Sequence, residues 1–374
     1  MPPSNTAAWL TAKHQRPLQV KEAPYTPAGP NEVVIKSRAV AINIIDALAQ
    51  DMGGMIFNWI QYPFILGDDV AGDVVEVGCG VSRFKTGDRV VGHAISIDKR
   101  SARACEGAFQ EYVVLREILV SPIPNSLSYE NASVLPLTLS TAACGLFQQD
   151  YLALGHPSAT KTAENKNTRE TLLVWGGSTS VGSNAIQLAV AAGYEVITTA
   201  SPKNFDYVKS LGASTVFDYR SPTAISDIIT ILKSKKSVGA IAIGDGSLEA
   251  CIPIIGASKG RKFIAQASVP QAKNLPPKGF ELVRFIATFL WFNVSTSIRC
   301  KLSGVTAKFI NGTDLVGNEV GAVIYEHFLP EVLASGNYVA APKPQVIGHG
   351  LEHVQKGLDM VKKGVSNSKL VVIL

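Results

Sequence analysis

The sequence predicts a two-part α/β protein in which a β-rich, barrel-like half precedes a doubly wound sheet of six parallel strands. Three observations carry this expectation. Residues up to about 150 read as short β runs broken by Gly and Pro. From residue 171 apolar runs alternate with helical patterns, the rhythm of parallel strands whose two faces are covered by helices. At the first strand-to-helix change in that series stands a glycine-rich turn, Gly176–Gly182.

Taken in order, Glu32–Ser37 alternates polar and apolar residues as a half-buried strand does. Val70–Val77 is rich in Val and Gly, Arg89–Gly92 follows the turn signal Gly87-Asp88, and Tyr112–Leu115 is a further β-branched run. Residues 155–170, GHPSATKTAENKNTRE, hold almost nothing apolar except alanine and are expected to form a surface loop or linker. The second half then alternates: Thr171–Trp175, Ala185–Ala192, Glu195–Ala200, Phe205–Leu211, Thr215–Tyr219, Ile225–Leu232, Gly239–Ile243, Leu248–Ile255, Lys262–Ala267 and Val305–Ile310. A helix over Glu319–Ala334 and a last strand at Leu370–Leu374 are expected to return to the first part. Phe280–Val294 is the most apolar late stretch, but it carries Glu281 and Arg284 and falls short of the about 20 residues a membrane span needs, so it reads as a buried or cleft-lining helix.

Composition removes several function classes. Only 17% of the 374 residues are charged, and the net charge is +5. No run of basic residues exceeds two, so no nucleic-acid stripe is expected. The segment Met1-Pro2-Pro3-Ser4-Asn5 has neither the basic start nor the apolar core of a secretory signal. Five scattered cysteines without a C-x-x-C pair suit a reducing compartment. A cytoplasmic protein without membrane or nucleic-acid partners is the expectation.

The turn after Thr171–Trp175 is where a dinucleotide-binding fold seats a pyrophosphate over a helix N-terminus. Gly177 and Gly182 supply the first and third glycines of G-x-G-x-x-G, with Thr179 in the middle place and Val181 before the last. A side chain at the middle place should push the cofactor slightly outward, and the hydroxyls of Ser178, Thr179 and Ser180 could compensate as donors. The end of the second strand then bears on the choice of cofactor. An NAD site carries a carboxylate there, whereas Ser201-Pro202-Lys203-Asn204 has none before Asp206. Lys203 with Ser201 and Asn204, and Tyr219 beside Arg220 after the third strand, favour the 2′-phosphate of NADPH. The plainer alternative is a solvated surface lysine.

An ordered series of further motifs extends along the chain: AVAINIIDAL (39–48), YPFILGDDVAGDVVEVGCGVSRFKTGDRVVG (62–92), GAFQEYVV (107–114), SPIPNSLSYENASVLPLTLSTA (121–142), VWGGSTSVGSNAIQLA (174–189), SLGASTVFDY (210–219) and KLVVIL (369–374). Together these resemble the medium-chain dehydrogenase/reductase superfamily, in its zinc-free, quinone-oxidoreductase-like branch, and SPKNFDYVKSLGA with VFDYRSP is similar to the fungal trans-acting enoyl reductases of polyketide pathways. The resemblance implies a GroES-like β-barrel catalytic domain from 1–145 and 312–374, with a Rossmann NADPH-binding domain at 146–311 and the active site in the cleft between them. In zinc-dependent relatives ligands would stand near Asn43, Asp68-Asp69 and Leu137, so no metal is expected here.

Hydride delivery from NADPH to an activated α,β-unsaturated carbonyl or enoyl double bond is the implied chemistry, in polyketide or other secondary metabolism. A small-molecule or acyl-thioester substrate, a carrier protein or polyketide synthase as partner, and a monomer or homodimer go with it. By resemblance Asn43 and Asp46 lie beside the nicotinamide with Thr141 at the same end, Gln266 and Ala267 offer backbone groups to the carboxamide, and Ser366 and Lys369 close the site. Leu48 stands where the lovastatin-type enzyme has a lysine, so Tyr62, Thr141 and ordered water are the candidate proton donors and Asp46 a candidate base, making Asp46, Tyr62 and Thr141 the candidate catalytic side chains; Asp46 and Tyr62 also read as structural. The aromatic and methionine set Met52, Met55, Phe57 and Trp59, and Phe285, Phe289, Trp291 and Phe292, read either as acceptor pocket or as core. A general quinone or aldehyde reductase, or a non-catalytic NADPH-binding protein, are the competing functions.

Overall fold

The computed structural model describes residues 3–159, 170–268 and 279–374, so the loop expected at 155–170 lies for the most part outside the described residues. The chain divides into two compact units, Met1–Leu137 with Leu315–Leu374, and Thr138–Asp314. The first divide falls inside the helix Pro136–Phe147. An unbroken apolar helix offers no linker composition from which such a point could be read.

In the first unit a seven-stranded sheet runs Lys343–His349, Ser368–Ile373, Glu32–Ala41, Asp69–Val77, Arg89–His93, Val120–Pro122, with Tyr112–Arg116 also paired to Glu32–Ala41. Only its first pairing is parallel. A three-stranded sheet of Gln19–Ala23, Asn5–Leu10 and Phe64–Ile65 completes the β structure. Inward-facing residues such as Leu10, Ile35, Phe64, Val90 and Phe109 form one apolar cluster. All four predicted β runs of this half are strands. The sequence reading missed the helix Ile44–Ile56, and its start has a local cause. Asn43 and Asp46 form a capping box, the Asp46 carboxylate accepting from the Asn43 N–H at 2.7 Å.

The second unit is the doubly wound sheet. From edge to edge its parallel strands run Thr215–Asp218, Glu195–Ala200, Glu170–Trp175, Lys236–Ala242, Phe263–Gln266 and Thr306–Phe309, with a two-residue strand, Lys259–Gly260, beside the fourth. That is the 3-2-1-4-5-6 order of dinucleotide-binding folds. Leu173, Ala240 and Ile264 are fully buried, as central strands covered by helices on both faces must be.

The stretch Phe280–Val294, expected to form a buried or cleft-lining helix, lies in the helix Phe280–Ser303; it is not buried but largely exposed, with Phe280 at 82%, Trp291 at 72% and Leu302 at 83%. Its apolar residues lie all round the axis rather than in one stripe, so only a narrow seam is covered. Along that seam Phe292 and Cys300 pack on the core of the parallel sheet. No described helix is long and apolar enough to cross a membrane. Further on, Glu319–Ala334 is helical throughout, with a π-helical stretch at Val323–Phe328.

Candidate functional site

In the second unit the predicted cofactor residues gather along one edge of the parallel sheet. Because the strands are parallel, their C-terminal ends share an edge, and Ala200 and Asp218 are register partners there. The glycine turn follows Glu170–Trp175, Ser201–Asn204 follows Glu195–Ala200, and Tyr219 follows Thr215–Asp218. Gln266 and Ala267 stand at the same edge after Phe263–Gln266.

The turn is built from its own side chains. Thr179 caps the helix Ser180–Ala191: its Oγ1 accepts from the Gly182 N–H at 3.0 Å and donates to the Gly176 carbonyl at 2.7 Å. That hydroxyl proton is therefore spent inside the turn and is not the phosphate donor expected of it, while the Ser178 and Ser180 hydroxyls remain half-exposed. The N–H groups of Ser180 and Val181 have no carbonyl behind them in the helix, so they are available to an anion together with the positive end of the helix dipole. A dinucleotide's pyrophosphate fits these donors.

Beyond the second strand, Ser201 leads the short 3-10 turn Pro202–Asn204; Lys203 is exposed on it and Asn204 is buried. Tyr219 is 41% exposed, with the Arg220 guanidinium 5.1 Å from its ring centroid. At the fifth strand the backbone groups are already engaged. The Ala267 N–H donates to the Ala242 carbonyl at 2.9 Å and the Gln266 carbonyl accepts from Ile310 N–H at 2.8 Å. Thr141 is half-buried on the helix Pro136–Phe147, its Oγ1 against Gly312.

In the first unit Asn43, Asp46 and Lys369 meet in a buried charge cluster with two residues the sequence reading had treated only as absent zinc ligands, Asp68 and Asp69. The Lys369 ammonium lies 2.9 Å from Asp69 Oδ2 and donates to Asn43 Oδ1. Asn43 Nδ2 donates to the same Asp69 oxygen at 2.8 Å, and the Leu137 N–H donates to Oδ1 at 2.7 Å. Asp46, Asp68 and Asp69 are at most 1% exposed and Lys369 is 5% exposed. A zinc ion does not suit this arrangement: the ammonium supplies the positive charge, and among the described residues no group of three or more His, Cys, Asp or Glu could hold a metal. Ser366 lies apart, exposed in the loop before Ser368–Ile373. Tyr62 is half-buried, its hydroxyl close to Gly53, and burial raises its pKa.

Of the methionine and aromatic set, Met52 is buried, Phe57 and Trp59 pack edge to face on the barrel core, and the Trp59 indole donates to the Ile97 carbonyl at 3.1 Å. Of Met52, Met55, Phe57 and Trp59, only Met55 is exposed.

His93, fully buried at the end of Arg89–His93, borders the cluster, and burial lowers its pKa to about 4 despite the nearby Asp69 and Asp98 carboxylates. Its unfolded value is near 6.5. The unfolded chain therefore takes up a proton that the folded chain refuses, and stability contributed above pH 6.5 is lost as pH falls toward 4. A His93→Gln variant lacks that loss. Relative to the wild type it should gain stability between pH 6.5 and 4, by up to about 3 kcal/mol, in denaturant titrations at each pH.

Comparison with known proteins agrees with both units. Residues 29–125 match the family described as the alcohol dehydrogenase GroES-like domain. The chain is 50% identical over 372 residues to the Monascus ruber protein named dehydrogenase pigH, covering all of both. It is 39% identical to the Aspergillus japonicus protein named trans-enoyl reductase himH, across 98% of this chain and 97% of that one. Its fold is shared by the CurK enoyl reductase crystal structure, with a TM-score of 0.69 at 19% identity over 99% of each chain. With these relatives matched along its whole length, the chain belongs to the medium-chain dehydrogenase/reductase superfamily and is one of its oxidoreductases, built for a nicotinamide dinucleotide.

Proposed function

We propose that the protein is a metal-independent, NADPH-dependent reductase that delivers a hydride to the activated double bond of an α,β-unsaturated carbonyl or enoyl acceptor, in polyketide or other secondary metabolism. The observation that carries this reading is the sheet edge at which the glycine turn, the exposed Lys203 and the Tyr219-Arg220 pair sit on adjacent strand ends, with no carboxylate after the second strand before Asp206. When bound, the reduced nicotinamide supplies the hydride. Ser180 and Val181 would hold the pyrophosphate through backbone N–H groups, and Lys203 with Ser201 would hold the 2′-phosphate. In the barrel unit, Lys369 and Asp69 fix the Asn43 amide, so that a group presented to the nicotinamide is already oriented. In this metal-independent reading, polarisation of the acceptor carbonyl falls to hydrogen-bond donors. The relative named a trans-enoyl reductase supports the enoyl acceptor, and the substrate form in this reading is an acyl thioester on a synthase carrier protein.

The test is NADPH oxidation with enoyl thioesters, enones and quinones, run for the wild type and Lys203→Ala. The wild type should turn over the enoyl and enone acceptors and spare quinones. The variant should lose about 1.5–3 kcal/mol of NADPH binding, roughly ten- to 150-fold in Kd, and leave NADH binding unchanged. An unchanged NADPH/NADH ratio overturns the 2′-phosphate assignment, and exclusive quinone turnover overturns the acceptor.

A further inference from the structure

Three carboxyl oxygens of the first unit's charge cluster are buried with no hydrogen-bond donor among the described residues: Asp46 Oδ1 and both oxygens of Asp68. They belong to neighbouring carboxyl groups, each near enough to act on the other's protonation. A bond between two carboxyl groups requires a proton, since two carboxylates offer only acceptors. The nearby donors are engaged elsewhere: the Lys369 ammonium is directed to Asp69 and Asn43, and the remaining Asp46 oxygen holds the Asn43 N–H. The facing charged and titratable groups are Asp69, Lys369 and His93, and burial keeps His93 neutral.

We propose that Asp46 and Asp68 share a single proton, and that Asp68 is thereby a positioning residue: it completes Asp46 as the acceptor that pins the backbone of Asn43. With that proton the cluster of three aspartates and one lysine carries one net negative charge in place of two. Burial acts in the same direction on both groups, raising Asp46 to about 6 and Asp68 well above the usual carboxylate range, and the Asp46 and Asp69 carboxyls raise Asp68 further. The consequence for cofactor handling rests on the proposed function, which places Asn43 beside the nicotinamide. The existence of the shared proton does not.

Two substitutions separate these parts. Asp68→Asn has the same charge as the proton-sharing pair, and its amide can donate to Asp46 Oδ1. Asp68→Ala has that charge too but leaves Asp46 without the donor. Infrared spectra of the whole protein at pH 7 should show a protonated-carboxyl C=O band in the wild type that shifts in D2O and is absent in both variants. Asp68→Asn should melt like the wild type and bind NADPH with the same Kd, whereas Asp68→Ala should weaken NADPH binding by about five- to tenfold with unchanged far-UV dichroism. Absence of the band in the wild type, or its persistence in Asp68→Asn, overturns the shared proton. A band that behaves as expected, with Asp68→Ala binding NADPH normally, overturns the positioning role alone. Failure of the wild type to bind any nicotinamide cofactor overturns the proposed function and leaves the infrared result standing.

Discussion

Gly182→Ala should abolish tight dinucleotide binding and lower stability by about 1–3 kcal/mol, the usual cost of forcing one extra carbon into a filled space. A Cβ at Gly182 would lie 2.2 Å from the Gly176 carbonyl oxygen and 2.8 Å from Gly177 Cα, both backbone atoms that no rotamer change can move. Gly177 is confined in the same way, its Cβ falling 2.1 Å from Thr198 Oγ1, a hydroxyl held to the Val174 carbonyl at 2.6 Å. Strand, turn and helix therefore touch through two missing side chains. Parting them by one methyl displaces the helix N–H groups that would meet the phosphates. Thr179→Ala is the control, because it removes a helix cap, worth about 1 kcal/mol, without adding bulk. Melting with and without NADPH separates the two. Thr179→Ala should still be stabilised by the cofactor, and Gly182→Ala should not. A Gly182→Ala protein that NADPH stabilises as it does the wild type would show that the turn is not where the phosphates sit.

What could be read in advance follows from the range of the interactions involved. The parallel sheet was legible because its signal is local: ten short segments from Thr171 to Ile310 show a change of period that burial on both faces imposes, and the elements match to within a few residues. The capping box was visible in principle, since Asp46 stands three residues after Asn43, yet the helix it opens went unread among β runs. The exposure of Phe280–Ser303 was not legible, because apolar content alone does not say whether a surface has a neighbour. Least legible was the role of Lys369. Its contact with Asn43 joins positions 326 apart, and nothing local to the terminal KLVVIL motif marks that lysine as buried. Asp68 and Asp69 read only as the wrong residues for zinc. Their meaning comes from the ammonium that the last strand brings to them.

Lys369→Met should cost about 3–5 kcal/mol of stability, the range for removing one partner of a buried ion pair. Lys369 and Asp69 are 5% and 0% exposed at the side chain and 2.9 Å apart. Without the ammonium, Asp69 retains the neutral donors Asn43 Nδ2 and Leu137 N–H for a full charge, and Asn43 Oδ1 loses the ammonium as donor. If this is the origin of the loss, removing the charge as well should restore most of it. The double variant Asp69→Asn/Lys369→Met should thus be more stable than Lys369→Met alone, and the cycle should show a coupling well above the 0.5 kcal/mol of independent sites. The loss should also change little with added salt, because buried pairs are poorly screened. A lysine whose work is to reach the cofactor predicts something different. Its removal would weaken NADPH binding and leave the unfolding free energy within about 1 kcal/mol of the wild type, as for an exposed pair. Denaturant titration of the four proteins without cofactor decides between the two roles, and a near-neutral Lys369→Met would overturn the view that this lysine holds the barrel's charge cluster together.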